Sequence, residues 1–402
     1  MTEVSIILPT YNRADTLPRA LSSVLQQRFG DWELIVVDDG STDDTAALFE
    51  ETDPRVRLIR QANQGCYAAR NAGIDASIGR LVAFLDSDDE WLPHYLELAV
   101  AYMQAHPDDQ FVMTEFWDDF GDRSMERQDH ALFSRSWPAM AQAIGSRALD
   151  LPADETDDYL RVYEFREPVG AWGRDIAADA GVPKAFTYHG RIFRHFRWGH
   201  FGWLPTTLVT RRAIESVGKF LGHYRTAADY RFLALLSREY RANMIAVPGA
   251  IKHHAGEGGR ALAEDHLAAG RSNQNKYRYA AHRLPLFDEF FRDPSQPDPE
   301  NERIRGLYQL YAGRTALELG MPSEAAMHLR EAVRTLPEHR SAYRWLLLLR
   351  IFPSGKLACG LYRWTMRLRH LGKALWRGDL SLNTLLRKAS HRLFGAALHG
   401  RE

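Results

Sequence analysis

The stretch LVAFLDSDDEW, residues 81–91, places five consecutive apolar residues directly before five polar ones, three of which are aspartates. An uninterrupted apolar run of this length is typical of a strand that is buried on both faces of a sheet. The pattern that follows, with Pro93 at its start, predicts a helix to about Ala105. This order of strand, polar turn and helix predicts an α/β fold that binds its ligand beyond the carboxyl end of the strand.

The same alternation of strand and helix extends from residue 81 in both directions. Apolar runs predict strands at 4–8, 34–37, 56–59 and 111–113, and helical spacing predicts helices at 17–25, 43–51 and 67–76. Further along, we predict a strand at 204–209, helices at 211–217 and 227–238, and a last strand at 244–247. Buried strands that alternate with amphipathic helices indicate a parallel sheet covered on both faces.

Residues 115–200 interrupt this alternation, since they are rich in Asp, Arg, Trp and Phe with Pro and Gly between them. We predict an insertion that packs on the open side of the sheet, on the acceptor side, with weak helices over 137–144 and 157–163. The first domain is therefore expected over residues 1–292, with its insertion at 115–200.

The composition excludes several classes of protein. The chain has 402 residues, of which 45% are apolar, and 51 basic residues nearly balance 52 acidic ones. A large core is therefore expected, and a protein that coats nucleic acid is not. Cys66 and Cys359 are the two cysteines, which excludes a disulfide framework and favours a reducing, cytoplasmic location. No apolar run approaches membrane-spanning length, and a strand at Val4 leaves no room for a signal peptide.

The C-terminal part of the chain does not continue the alternation of strands and helices. Residues 293–300 carry three prolines and predict a linker, and residues 301–402 predict a helical region. The residues Gly313, Ala316, Gly320, Ala325, Leu329, Ala332 and Pro337 have the spacing of a tetratricopeptide hairpin. Because one such unit cannot bury its own face, a plain helical hairpin packed on its neighbours is the alternative.

The chain ends in a basic tail. Residues 350–402 hold eleven Lys and Arg but only two Asp and Glu, and the basic residues interleave with apolar ones at helical spacing. One interpretation is a helix that lies peripherally on an anionic membrane surface, which would be the inner face of the membrane. The other is a helix that packs its apolar stripe on the protein and leaves its charges in solvent.

Polar clusters follow three predicted strands, and each has a functional and a structural interpretation. The acidic cluster 86–89 would suit Mg²⁺ or Mn²⁺, or it could cap the next helix. Asp38 and Asp39 could accept hydrogen bonds from a ribose, or they could close a tight turn at Gly40. Gly65 permits a ligand to approach the backbone, and Arg70 could reach a phosphate or orient the acidic cluster; alternatively, both could belong to an ordinary helix start.

Taken together, these clusters are far more specific. PTYNR at 9–13, VDDGS at 37–41, NQG at 63–65 with ARN at 69–71, and DSDD at 86–89 occur in this order at successive strand ends. This series closely resembles family 2 glycosyltransferases, strongly over residues 3 to about 115 and more loosely over 204–255. The resemblance implies the GT-A fold of nucleotide-diphospho-sugar transferases, with a mostly parallel central sheet flanked by helices, an insertion and a C-terminal helical region.

The resemblance also implies roles for particular residues. A nucleotide-sugar donor is expected to contact Pro9, Tyr11, Asn12, Asp39, Gly65, Arg70, Asp86, Ser87 and His254. Asp88, with Asp86, is expected to bind the divalent metal. Asp229 matches the general base of the family, although Ala228 replaces the Glu that commonly precedes it. For His254, a structural histidine remains the alternative.

The implied activity is an inverting, metal-dependent transfer of a sugar from a nucleotide-diphosphate sugar to a hydroxyl group, and a UDP-sugar is the expected donor. The acceptor would be a saccharide or a lipid-linked sugar in cell-envelope or exopolysaccharide synthesis, with no nucleic-acid partner. One alternative is a degenerate, non-catalytic module that binds a nucleotide sugar or a protein partner. A nucleotidyltransferase is a third interpretation, but residues 9–13 lack the glycines of a triphosphate-binding loop. The oligomeric state stays open.

Overall fold

A computed structural model describes residues 2–49, 53–119, 125–128, 158–199, 201–222, 227–253, 273–351 and 355–376. The chain divides into two compact units, residues 1–304 and residues 305–402. The helix predicted over 137–144 lies outside the described residues.

A single mixed sheet forms the centre of the first unit. Its strands are β1 (Val4–Thr10), β2 (Trp32–Asp38), β3 (Val56–Arg60), β4 (Leu81–Phe84), β5 (Glu90–Trp91), β6 (Phe111–Asp119), β7 (Met125–Gln128), β8 (Phe165–Pro168), β9 (Phe186–Gly190), β10 (Thr207–Thr210) and β11 (Ala242–His253). Their order is β3-β2-β1-β4-β10-β6-β11-β9-β8, with β5 paired to β11 and β7 to β6. Pairing is parallel over β3-β2-β1-β4 and between β6 and β11, and β10 is antiparallel to both neighbours.

In the first unit, helices lie between these strands along the chain, and another follows the last strand. They are α1 (Leu17–Leu25), α2 (Cys66–Ala76), α3 (Tyr95–Ala105), α4 (Arg174–Asp179), α5 (Arg211–Val217), α6 (Ala228–Glu239) and α7 (Asn273–Phe291). Helix α2 lies close to β1, because Gly73 has no side chain at a point where a Cβ would meet Ile7 Cγ2 at 2.5 Å. This contact brings the first turns of α2 to the carboxyl ends of β1 and β2.

Two predicted elements differ from the structure. The helix expected over 43–51 is a short 3-10 helix, Asp44–Phe49. Asp43 accepts hydrogen bonds from the N–H groups of Ala14 and Thr45, which hold the start of this segment against the loop after β1. The strand expected from residue 204 begins at Thr207, because Pro205 has no N–H for the ladder and lies in a 3-10 turn.

The predicted insertion also differs. Strand β6 continues to Asp119, β7 pairs with it, and the antiparallel strands β8 and β9 extend the sheet beyond β11. Within the described residues, these strands add to the sheet itself rather than covering one of its faces. They satisfy the backbone N–H and C=O groups along the long strands β6 and β11, which would otherwise lie at an edge.

The second unit is helical, as predicted. The helix α8 (Pro299–Leu319) leads into it, and α9 (Pro322–Thr335), α10 (Arg340–Ile351) and α11 (Lys356–Trp376) follow. Helices α8 and α9 are joined at Gly320, whose φ is 76°, and Ala316, Ala325 and Leu329 are fully buried. Within the described residues, none of the helices has the length and apolar character needed to cross a membrane.

Candidate functional site

The candidate site lies where the parallel strands end. Thr10 of β1 pairs with Asp38 of β2, and Asp38 pairs in turn with Arg60 of β3. The polar segments that follow these strands, and the acidic cluster that follows β4, therefore emerge at one edge of the sheet. This is the edge at which open α/β sheets bind their ligands.

Asp39 organises the loop that leads into α2. Its carboxylate is almost fully buried and accepts hydrogen bonds from the Gln61 side chain at 2.7 Å, the Gln64 N–H at 2.9 Å and the Gly65 N–H at 2.7 Å. Gly65 has a φ of 91° and begins the helix, a backbone conformation that favours glycine. Asp39, which was predicted to contact the nucleotide, thus also holds the loop from Gln61 to Gly65 in place.

The segment after β1 turns sharply at Asn12, whose φ is 51°. Its N–H donates to Ser41 Oγ at 2.9 Å, and its side-chain oxygen accepts from the Thr42 N–H at 2.8 Å. Tyr11 is 40% exposed, whereas Pro9 is buried within β1 opposite Val37. Of these three predicted donor contacts, Tyr11 offers an accessible ring, and the other two hold the turn that presents it.

Arg70 points from α2 into the acidic cluster. Its guanidinium is 5% exposed, forms an ion pair with Asp86 and lies 3.2 Å from Cys66 Sγ. The rings of Tyr67 and Phe220 flank it at 5.3 Å and 5.7 Å. In this structure Arg70 therefore orients the acidic cluster, which is one of the two roles that the sequence suggested.

The rest of the acidic cluster is held from several sides. Asp88 lies 3.4 Å from the Arg13 guanidinium, and its carbonyl accepts a hydrogen bond from Arg19 at 2.5 Å. Ser87 is buried. Asp89 is buried too, and burial, with the neighbouring Asp88 and Asp86 carboxylates, raises its pKa well above the usual range. Three carboxylates therefore lie close together in the segment that follows β4.

Asp229 is the second residue of α6 and is partly buried. Its Oδ1 accepts a hydrogen bond from the Tyr230 N–H at 2.8 Å. The positive end of the helix favours an ionised carboxylate at this position. Ala228, which stands where the family commonly has Glu, is buried.

Cys66 shows that these separate segments converge. Its side chain is exposed, and its Sγ lies 3.2 Å from the Arg70 guanidinium. The pKa of the Cys66 thiol is raised to about 11, first by desolvation among the surrounding protein atoms and then by the Asp86, Asp229 and Asp39 carboxylates, while Arg70 acts in the opposite direction. Burial and the Asp229 carboxylate likewise raise the pKa of Tyr67 well above its usual value. Three loops that are distant in sequence therefore share one electrostatic environment.

His254 lies outside the described residues, but its neighbour His253 ends β11 beside the acidic cluster. The His253 N–H donates to Asp89 at 3.0 Å, and its ring nitrogens lie 2.9 Å from Asp119 and 3.1 Å from Glu90. Across the part of the chain that the structure describes, no three His, Cys, Asp or Glu side chains are arranged to hold a metal ion by themselves. Asp86 and Asp88 instead face Arg70 and Arg13.

Sequence reasoning missed several residues of this site. Tyr67 and Phe220 stack at 5.9 Å and flank Arg70, and Arg13 faces Asp88. Tyr67 lies three residues before Arg70 on α2, so helical spacing could have indicated it. Phe220 carries no such signal, because it comes from the segment after α5, 150 residues further along the chain.

The comparisons with known proteins agree with this arrangement. Residues 5–166 match the family model described as glycosyl transferase family 2. The UDP-Glc:alpha-D-GlcNAc-diphosphoundecaprenol beta-1,3-glucosyltransferase WfgD of Escherichia coli is 42% identical over 102 residues, which are 25% of this chain and 40% of that protein. The succinoglycan biosynthesis protein ExoO of Rhizobium meliloti (strain 1021) is 49% identical over 105 residues, 26% of this chain and 30% of that protein. The chain thus spans less than half the length of the curated relatives that it matches.

A solved structure shares the fold. The crystal structure of S. aureus TarS 1-349 in complex with UDP-GlcNAc superposes with a TM-score of 0.50 at 14% identity, over 91% of this chain and 92% of that one. The α/β fold expected from the sequence, GT-A with a C-terminal helical region, is confirmed. The resemblance seen in the motifs is confirmed as well, since residues 5–166 match the model of glycosyltransferase family 2.

Proposed function

We propose that this chain is a glycosyltransferase that moves a sugar from a nucleotide-diphosphate sugar to a hydroxyl acceptor with inversion at the anomeric carbon. The observation that carries the proposal is the convergence of three carboxylates on the start of α2, where Asp39 accepts the Gly65 N–H, Asp86 pairs with Arg70, and Asp229 lies near Cys66 and Tyr67. These carboxylates come from three different loops, and such a transfer needs acidic groups on both the donor and the acceptor side of the sugar.

The donor is a UDP-sugar bound at the loops after β1, β2 and β3. The exposed Tyr11 ring is available to stack on the base, and the buried Asp39 holds the loop at Gly65 close to where a ribose would lie. The Escherichia coli relative is named for UDP-Glc as its donor, and this supports a uridine nucleotide here.

A divalent cation, Mn²⁺ or Mg²⁺, fits the acidic cluster. Asp86 and Asp88 would hold it, since both follow β4 and their side chains are 29% and 21% exposed, whereas Asp89 is buried. Two carboxylates leave coordination positions for diphosphate oxygens, an arrangement that hard cations of this kind prefer. When bound, the cation supplies Lewis-acid stabilisation of the leaving diphosphate.

Asp229 is the general base. As the bond between the anomeric carbon and the diphosphate breaks, the acceptor oxygen forms its bond from the opposite face of the sugar, and its proton passes to the Asp229 carboxylate. The helix N-terminus keeps that carboxylate ionised and therefore able to accept the proton. Direct displacement inverts the anomeric centre, so no second carboxylate nucleophile is needed.

The acceptor is a saccharide or a lipid-linked saccharide in envelope or exopolysaccharide synthesis. The Escherichia coli relative is named for a diphosphoundecaprenol acceptor, and the Rhizobium meliloti relative for succinoglycan biosynthesis. Both names describe assembly of sugars on the outer layers of a cell, and they support the same class of acceptor here.

Replacing Asp229 by Asn tests the proposal. Donor binding, measured by calorimetric titration with UDP-sugars and Mn²⁺, should survive, while turnover should fall by about 10²-fold or more because no base accepts the proton. Asp175→Asn is the matched control, since Asp175 is also the second residue of a helix, α4, but is exposed in the inserted segment.

Two results would count against the proposal. Unchanged turnover in Asp229→Asn would place the base elsewhere. Donor binding without any transfer by the unaltered protein would favour the non-catalytic module, an alternative that Ala228 in place of Glu supports.

A further inference from the structure

Helices α10 and α11 of the second unit expose two apolar stripes. Large apolar side chains recur at intervals of three and four residues along each helix, and each is at least 36% exposed: Tyr343, Leu347 and Ile351 on α10, and Leu357, Leu361 and Trp364 on α11. Residues at this spacing share one face of a helix. Single exposed apolar residues are ordinary in proteins, but six on two adjacent helices indicate a surface that binds something.

These stripes are not the faces by which the unit packs. On α10 the buried residues are Ala342 and Leu346, and on α11 they are Ala358, Cys359 and Tyr362. The two helices contact each other through the rings of Trp345 and Tyr362, whose centroids are 4.5 Å apart. The exposed stripes therefore lie on other sides of helices whose packing is already satisfied.

The charge around the stripes is of one sign. Residues 339–378 contain nine Lys and Arg and no Asp or Glu. Five of these basic residues are exposed on α10 and α11: Arg340, Arg344, Arg350, Lys356 and Arg363. An exposed apolar stripe on helices whose only charged residues are cations matches the composition of helices that lie in the interface of an anionic membrane.

We propose that the α10–α11 surface, defined by these six apolar and five basic residues, docks on an anionic lipid membrane. Acidic headgroups would contact the guanidinium and ammonium groups, and the apolar side chains, with Tyr343 and Trp364 among them, would enter the boundary of the acyl chains. A second copy of the same surface is disfavoured, because two all-positive faces repel each other. A nucleic acid would satisfy the charges but not the aliphatic side chains Leu347, Ile351 and Leu357.

Co-sedimentation of the full chain with vesicles tests this docking. Vesicles that contain phosphatidylglycerol in phosphatidylcholine should bind the protein, and pure phosphatidylcholine vesicles should bind it far more weakly. Raising NaCl from about 0.05 M to about 0.5 M should release it, because the shorter Debye length screens the headgroup charge. The double variant Leu347→Ser with Trp364→Ser should weaken binding by more than about tenfold, and Arg344→Ala should weaken it by about fivefold.

Matched controls lie on α9 of the same unit. Met327 is 52% exposed but has no apolar neighbours of this kind, so Met327→Ser should leave vesicle binding unchanged. Arg330 is an exposed arginine on α9, so Arg330→Ala serves as the control for charge. Circular dichroism and thermal melting of every variant establish that a loss of binding does not come from unfolding.

Three results would overturn the proposal: equal binding to neutral and anionic vesicles, binding that the α10–α11 variants leave intact, or a dimer in sedimentation velocity that the same variants dissociate. The last result would make a second copy the occupant. Vesicle binding is measured without donor or acceptor. A failure of membrane docking can therefore be distinguished from a failure of the transferase assay.

Discussion

Arg70 is the charged side chain on which the arrangement of the acidic residues depends most directly. Its buried guanidinium contacts Asp86 and Cys66 at the same time, with one donor group directed to each. A lysine carries the same charge but has no planar fork that could make both contacts. Arg70 thus couples the start of α2 to the segment after β4.

We therefore expect Arg70→Lys to lower the free energy of unfolding by about 2 kcal/mol, because it leaves the Asp86 carboxylate without its buried partner. Arg80→Lys is the control, since Arg80 pairs with Glu3 while its own side chain is 51% exposed, and a loss below about 1 kcal/mol is expected there. Urea denaturation measures both. Equal losses would mean that the buried pair contributes no more than an exposed one.

Asp88 tests the metal in the same cluster. Because Asp88 would supply one of two carboxylate ligands, Asp88→Asn should abolish Mn²⁺-dependent donor binding while the unfolding transition without metal stays nearly unchanged. Asp108→Asn is the control, because Asp108 is exposed and precedes the amino end of β6, whereas the acidic cluster follows the carboxyl end of β4. Calorimetric titration of Mn²⁺ with UDP measures the effect, and full activity in chelator would contradict metal dependence altogether.

Among the elements, α2 carries the donor side of the site and begins in an unusual way. Its first flanking residue, Gly65, has φ 91° and ψ 157°, and its N–H donates to Asp39. A Cβ at this position would meet nothing within 4 Å, so the cost of a side chain there comes from the backbone conformation alone.

Gly65→Ala should therefore lower the free energy of unfolding by about 1–3 kcal/mol and weaken donor binding, since the loop relaxes away from Asp39. Gly30→Ala is the control, because Gly30 also has open space around it but does not have a positive φ, and a change within about 0.5 kcal/mol is expected. Denaturation curves and a donor titration distinguish the two. An unperturbed Gly65→Ala variant would mean that the loop adapts without strain.

For the whole molecule, histidines that are neutral in the folded state predict a loss of stability in acid. Burial, with the nearby Arg194 and Arg197, lowers the pKa of His195 to about 4, and its ring accepts a hydrogen bond from Arg194 at 3.4 Å. Burial also lowers the pKa of His94, His189, His328 and His339. Between pH 4 and the usual histidine pKa of about 6.5, the unfolded chain binds more protons than the folded one, so stability falls as pH falls.

The lowered pKa of His195 alone should reduce the free energy of unfolding by up to about 3 kcal/mol in acid. This loss is absent above about pH 6.5 and grows as the pH falls to 4. The variant His195→Gln keeps a hydrogen-bond acceptor but does not titrate. The difference in unfolding free energy between wild type and variant should therefore grow in favour of the wild type from pH 4 to pH 7. Parallel curves for the two proteins would show that His195 is protonated with its ordinary affinity in the folded state.

The sequence predicts a feature well when that feature depends on residues that are close together in the chain. The alternation of strands and helices, the acidic turn after β4 and the order of the motifs are local, because periodicity and turn chemistry act over a few neighbouring residues. They were enough for the fold class and for the family over residues 5–166. The roles assigned to Asp229, Asp88 and the donor contacts stay predictions.

Only the tertiary structure decided what each polar group contacts. Asp39 binds groups more than 20 residues away, Arg70 faces Asp86 across two elements, and Phe220 reaches Arg70 from a distant segment. The antiparallel direction of β10 and the extension of the sheet by β8 and β9 were likewise hidden, since strand order and direction depend on pairing between remote segments. Such contacts form because burial leaves each charge and each backbone group in need of a partner, and no local pattern in the chain specifies which partner is near.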